Sequence, residues 1–173
     1  EKSRKLTLIE DEYYKIIEYK TASLFGCCCE LAAFSNNLKS SEKTKIYEFG
    51  IQFGMAFQIK DDLLDYSSNK LTGKVQGNDI KERKMNLPLL FALKNSSKKE
   101  KTKILNLLYK PAKKKEDIGY IINFVEQNNG IKCAEKILNL YKDKALKILS
   151  NFPDSDYKES ISNLLDYIIE RTK

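Results

Sequence analysis

Phe49-Gly50-Ile51-Gln52-Phe53-Gly54-Met55-Ala56-Phe57-Gln58-Ile59-Lys60-Asp61-Asp62-Leu63-Leu64-Asp65 is the stretch on which the fold turns. From Phe49 to Ile59 it is apolar on every side of a helix except at Gln52 and Gln58, and a helix of that kind must be surrounded by protein. Gly50 and Gly54, four apart, let a neighbouring backbone approach closely, although each lowers helix propensity. The run then ends in three carboxylates. At helical pitch Asp61 and Asp65 share one face and Asp62 flanks it, so their oxygens can converge on a common point.

Most acidic doublets are solvated charges on a surface helix, but the position of this one argues otherwise. Ser67, Ser68 and Asn69 are stop signals that place the carboxylates in the last turns of their helix. There the macrodipole disfavours negative charge, and like charges at i,i+4 repel. An outside compensating charge is therefore expected. Clustered hard oxygen donors suit Mg²⁺, which keeps several waters and recruits substrate phosphates to complete its octahedron. The cluster reads as one wall of a diphosphate site.

The chain of 173 residues is long enough for one domain with a real core, and only 7 Gly and 3 Pro punctuate it. With apolar spacing that is helical nearly throughout, the expected fold class is all-α. No apolar run has the length of a membrane span, and Glu1 to Lys5 is not followed by a signal-peptide core. A soluble, cytoplasmic protein is expected. A chain that begins partway through a longer protein would lack a targeting signal in any case.

Cys27, Cys28 and Cys29 are consecutive, Cys133 is far away and there is no His. Adjacent helical residues point about 100° apart, so the triplet cannot form a tetrahedral metal site. Zinc is not expected, and the cysteines read as buried small hydrophobes in a reducing compartment in preference to a redox or metal role. The net charge of +7 comes from lysine spread along the whole chain. Its local runs, Lys98-Lys99-Glu100-Lys101 and Lys113 to Lys115, lack interleaved aromatic residues or a reading helix, so they read as solvated loops and helix ends and nucleic-acid binding is not expected.

Helices are expected at 10–34 and 42–66, separated by Asn36, Asn37, Ser40 and Ser41. The segment from Ser67 to Asn86 is the extended irregular stretch, the kind of long loop that tends to carry function in a compact helical domain. Pro88 opens the next helix. Further helices are expected at 98–109, 115–127, 131–152 and 154–171, with Asn128-Asn129-Gly130 and Phe152-Pro153-Asp154 as breaks.

Several linked motifs run along the chain: Tyr19-Lys20-Thr21-Ala22, Phe57 to Tyr66, Gly73-Lys74, Asn78-Asp79-Ile80, Lys84-Met85-Asn86-Leu87-Pro88-Leu89 and the closing segment from Tyr167 with Arg171. In order and spacing they resemble the C-terminal half of the trans-isoprenyl (polyprenyl) diphosphate synthases, in wording closest to bacterial medium- and long-chain members that supply quinone side chains. The resemblance implies an all-α helical bundle around a central cavity, of which residues 1–173 are the C-terminal portion. The implied reaction is Mg²⁺-dependent condensation of an allylic diphosphate with isopentenyl diphosphate into a longer trans-polyprenyl diphosphate, by a usually homodimeric enzyme.

By the same resemblance Asp61, Asp62 and Asp65 are metal residues, with Asp61 the direct ligand and Asp79 an outer-sphere partner. Lys20, Lys74 and Lys84 match lysines that contact the allylic diphosphate, and Thr21 and Gln58 match the polar groups beside the allylic carbon. Lys60, Lys81 and Arg83 remain surface charges. Asn86 stands where threonine is common before Leu-Pro, a position asparagine can cap equally well. The first aspartate-rich motif and the basic residues for isopentenyl diphosphate are not in these residues. Either the chain is part of a longer enzyme, or it is a divergent, non-catalytic subunit acting within a heteromeric synthase.

Elementary chemistry gives this residue set a rationale of its own. A departing diphosphate accumulates negative charge, which a divalent cation and lysines stabilise where water is excluded. The allylic fragment becomes cation-like. Thr21 and the Gln58 carbonyl can face it with negative dipole ends without being nucleophilic enough to capture it. Terpene cyclases share the implied fold, but their second metal site uses an Asn/Asp, Ser/Thr, Glu pattern in place of Asp-Asp-Leu-Leu-Asp followed by Gly-Lys.

Overall fold

Gly50 and Gly54 do what their spacing promises. In the computed structural model, which describes residues 10–67 and 76–171, a long helix α3 (Ser40–Leu64) lies against α2 (Ser23–Ser35). A Cβ on Gly50 would stand 2.6 Å from the Phe25 carbonyl oxygen, and one on Gly54 would stand 2.6 Å from the Ala22 Cα. The two backbones touch where the glycines leave room. Around this seam Phe25 stacks on both Phe53 and Phe57, with ring centroids 5.4 Å apart in each pair.

The chain divides into two compact units whose boundaries fall inside helices. The unit of residues 14–60 and 137–171 comprises the second half of α1 (Glu10–Ile17), a π-helical turn (Glu18–Ala22), α2, most of α3, most of α8 (Gly130–Leu149) and α9 (Asp156–Glu170). Its core joins Phe49 and Phe53 of α3 to Ala145 and Leu149 of α8 and to Leu165 and Ile168 of α9. Ser155 caps α9 by accepting from the Lys158 amide at 3.2 Å. Just past that helix the Arg171 guanidinium lies 4.6 Å from the centre of the Phe57 ring.

Residues 10–13, 61–67 and 76–136 belong to the other unit. Here α7 (Lys115–Gln127) packs against α4 (Asn78–Lys81), α5 (Leu87–Lys94) and α6 (Lys98–Tyr109). Ile80, Leu87, Leu89, Ile104, Leu108, Ile121 and Val125 are fully buried. α6 opens with the reciprocal Ser97–Glu100 capping box. No described residue is in a strand, and no described helix is long and apolar enough to cross a membrane.

The all-α expectation and the helix order hold, with three corrections. The expected first helix is one continuous run over 10–35, but it is broken in register by the π-helical turn. The segment 67–86, expected to be irregular, contains the single turn α4, started by Gly77 in the left-handed region at φ 76°. Cys27 and Cys28, expected to be buried, are exposed, and Cys29 is half-buried. The reason is which face of α2 meets the glycine seam: Ala22, Gly26 and Ala33 turn inward. Leu24 and Leu31, each 66% exposed, and Phe34, 55% exposed, lie with Cys27 and Cys28 on the outer face.

Two alanine substitutions are expected to shift stability in opposite directions. Gly50→Ala places a methyl group into backbone and should cost about 1–3 kcal/mol. Gly119, inside α7, has nothing within 4 Å of the built Cβ, so Gly119→Ala should gain about 0.5–1 kcal/mol. Urea unfolding of both variants checks this, and a loss at Gly119 or none at Gly50 would contradict the packing described.

Candidate functional site: a carboxylate network and a threonine–glutamine pair

The acidic end of α3 meets the N-terminal ends of two short helices. Asp62, only 6% exposed, accepts on Oδ2 from the Tyr13 hydroxyl at 2.7 Å and from the Leu87 amide at 3.3 Å. Leu87 opens α5, so its N–H is one of the donors that a helix leaves without an internal partner. Asp65 treats α4 in the same way, accepting from the Asn78 amide at 2.8 Å and from the Asp79 amide at 3.1 Å. Its own carbonyl accepts from Gly77 at 3.1 Å.

Asn86 links the two helix starts. It is the N-cap residue of α5 and accepts on Oδ1 from the Tyr66 hydroxyl at 2.7 Å, while its Nδ2 donates to Asp79 at 3.1 Å. Tyr66 is buried close to three carboxylates. Burial pushes its phenol well above the ordinary value; nearby Asp65, Asp62 and Asp79 add to the shift, and the hydrogen bond to Asn86 partly opposes it. It is therefore a neutral hydroxyl, able to donate. Lys84 sits 2.5 Å from Glu82 and 3.7 Å from Asp79. These acidic neighbours, Glu82 foremost, raise the Lys84 ammonium above its usual range, and partial burial works against them.

Residues of the other unit form a second group. The Thr21 hydroxyl donates to Gln58 Oε1 at 2.8 Å, 37 positions apart in the chain. Gln58 is 9% exposed. Thr21 and Lys20 both lie in the π-helical turn, a device that inserts an extra residue into a helical turn and is frequent at functional positions. Lys20 is exposed.

Of the sequence-predicted residues, Asp62, Asp65, Asp79 and Lys84 lie in the first group and Lys20, Thr21 and Gln58 in the second, with Lys74 outside the described residues. Asp62, Asp65 and Asp79 share one hydrogen-bonded network, and Thr21 and Gln58 are bonded directly. Among the described residues no group of three or more His, Cys, Asp or Glu is disposed to hold a metal ion. Asp61, Asp62 and Asp65 are differently disposed at this end of α3. Two physical reasons are visible: α3 ends at Leu64, so Asp65 lies in the following turn, and Asp62 is turned into the protein. Asp61 is the exposed carboxylate of the three.

No spacing in the sequence assigns Tyr13, Tyr66 or Asn86 to this network. A buried tyrosine needs a partner for its hydroxyl, and that need is the signal that could have found the first two.

A family profile described as polyprenyl synthetase matches residues 1–125. A prenyl transferase of Cyanophora paradoxa is 30% identical over 168 residues, which is 96% of this chain and 50% of that protein. Heptaprenyl diphosphate synthase component 2 of Bacillus subtilis is 30% identical over 160 residues, covering 92% of this chain and 45% of its own length. Among solved structures, the polyprenyl synthase of Caulobacter crescentus complexed with calcium and isoprenyl diphosphate matches with TM-score 0.91 and 29% identity, over 99% of this chain and 53% of that one. The geranylgeranyl pyrophosphate synthase of Bacteroides thetaiotaomicron matches with TM-score 0.89 and 34% identity, over 96% and 55%. The chain spans about half the length of these relatives.

The capping role of Asp65 has a measurable consequence. Asp65→Ala leaves the first two amides of α4 without their acceptor and should lower the unfolding free energy by about 1–2 kcal/mol, the usual cost of losing a helix cap. Asp65→Asn, which keeps one acceptor oxygen, should lose less. Urea unfolding of the two variants is the check, and equal stability of Asp65→Ala and parent would contradict the capping role.

Proposed function

The chain belongs to the polyprenyl synthetase family, and from that premise we propose that it carries the allylic-diphosphate wall of a prenyltransferase. The reaction proposed is condensation of an allylic diphosphate with isopentenyl diphosphate to give a longer trans-polyprenyl diphosphate. The observation that carries this reading is the part-buried hydrogen bond between Thr21 and Gln58, two residues that the family likeness sets beside the allylic carbon.

Mg²⁺ is the cation proposed. The donor set fits a cation that takes one or two protein carboxylates and completes its shell with water and substrate phosphate. Asp61 is exposed in the manner of such a ligand, while Asp65 and Asp79 are engaged in the hydrogen-bonded network and Asp62 is turned inward. When bound, the cation supplies stabilisation of the negative charge that gathers on a departing diphosphate.

The chain's own residues supply the rest. Lys20 and Lys84 bring ammonium charge to the diphosphate oxygens, as does Lys74 by family likeness. Lys84 exchanges its acidic neighbours, Glu82 and Asp79, for the more highly charged phosphate oxygens. The Thr21 hydroxyl fixes the Gln58 side chain by donating to its carbonyl. A carbonyl held in this way presents a fixed dipole to a developing carbocation, and a preorganised dipole costs no reorientation as charge develops. The chain spans half the length of its relatives, and none of its residues is assigned to isopentenyl diphosphate. The family likeness supports a homodimer of the complete enzyme.

Binding of farnesyl diphosphate to residues 1–173 by titration calorimetry, with and without Mg²⁺, tests the reading. Binding should require the cation. Lys20→Gln should weaken it by about 1.5–3 kcal/mol, the range for hydrogen bonds to charged groups. Parent-like affinity in Lys20→Gln and in Asp61→Asn would contradict the assignment.

A further inference from the structure

We propose that Asp62 is a positioning residue and not a metal ligand, and that a buried bridge from Tyr13 through Asp62 to the Leu87 amide sets the direction in which Asp61 presents its carboxylate. This rests on the reading of Asp61 as the metal-bearing residue given above.

The geometry of the bridge makes the case. Both side chains are almost wholly buried, Tyr13 at 3% and Asp62 at 6% exposure. The Tyr13 hydroxyl reaches across 49 positions of sequence to donate to Asp62 Oδ2 at 2.7 Å, the usual length of a well-formed O–H···O hydrogen bond. The same oxygen accepts from the Leu87 amide at 3.3 Å. That amide belongs to the first turn of α5, whose positive dipole end favours a negative partner. A carboxylate held at once by a phenol and a helix start is secured in position. Turning it toward a cation would leave a buried hydroxyl and a buried amide without this acceptor, the costly half of any hydrogen-bond exchange.

The consequence for Asp61 follows from helix geometry. Consecutive side chains on a helix diverge by about 100°, so fixing Asp62 inward fixes the outward direction of Asp61. Asp61 is exposed, as this requires. Tyr13 and Leu87 thus act on the cation site through two intermediaries, from positions that the acidic motif itself does not reveal.

The test uses the full chain with Mn²⁺ and inorganic diphosphate as probes, reading Mn²⁺ affinity by electron paramagnetic resonance and stability by thermal unfolding. The variants are Asp61→Asn, Asp62→Asn, Tyr13→Phe and the Tyr13→Phe/Asp62→Asn double. Asp61→Asn should abolish diphosphate-dependent Mn²⁺ binding while leaving the unfolding temperature near the parent value. Tyr13→Phe, which changes no carboxylate, should weaken Mn²⁺ binding about tenfold, as loss of groups that orient a ligand does. Asp62→Asn should do the same, and the double variant should be no worse than the weaker single one. Parent-like Mn²⁺ affinity in Tyr13→Phe, or loss in Asp62→Asn as complete as in Asp61→Asn, overturns the positioning role. Strictly additive losses of unfolding temperature in the double variant overturn the bridge itself. Parent-like binding by Asp61→Asn instead sinks the metal reading of the previous subsection, and the proposed action on Asp61 with it.

Discussion

Three carboxylates at the C-terminal end of a helix repel one another and oppose the helix dipole, and much of residues 61–87 is organised around relieving that conflict. The relief comes from opposite helix ends. α4 and α5 both begin beside the acidic end of α3, and each offers unpaired amides with the positive end of its own dipole behind them. Asp65 takes the start of α4 and Asp62 the start of α5. The compensating charge demanded by the sequence is thus in part built in, as backbone. What this arrangement secures is the position of α4: the Gly77, Asn78 and Asp79 amides are all bonded to Asp65.

Much of this was legible in the sequence, where the physics is local. The all-apolar run from Phe49 to Ile59 demanded burial, and all but Ile51, Gln52 and Phe57 in it are buried. Gly50 and Gly54 announced the contact with α2 because only a missing Cβ permits it. Pro88 and Asn86 marked the opening of α5, and Asn86 caps it as asparagine can. The acidic motif was legible as a cluster under strain, but the identity of the partners was not. Tyr13 lies 49 positions from Asp62, and no periodicity links a phenol on one helix to a carboxylate on another. The π-helical turn was equally hidden, since one inserted residue alters register without altering composition. The cysteines were misread for a different reason. Their burial depended on which face of α2 meets the glycines, and a strongly apolar helix gives little sign of which side that is.

The two groups of candidate residues differ in how far they are already assembled. Thr21 and Gln58 are bonded, and Gln58 is buried, so that dipole is preorganised within the chain. The lysines are not in that state: Lys20 is exposed, and Lys84 is held by Glu82 and Asp79. Cations that must release one anion to take another bind with a preference for the higher charge, which suits a diphosphate more than a carboxylate. The outer face of α2, with Leu24, Leu31 and Phe34 exposed, belongs to a chain half the length of its relatives.

The central claim is a division of labour, in which Asp61 meets the cation while Asp62 holds the frame. Crystals grown with Mn²⁺ and inorganic diphosphate, with the ion located by its anomalous scattering, test it most directly. The expected result is an ion about 2.0–2.2 Å from an Asp61 carboxylate oxygen, a distance typical of small hard cations, with the Tyr13 hydroxyl still bonded to Asp62. An ion bound by Asp62, with the Tyr13 bond broken, would contradict the account.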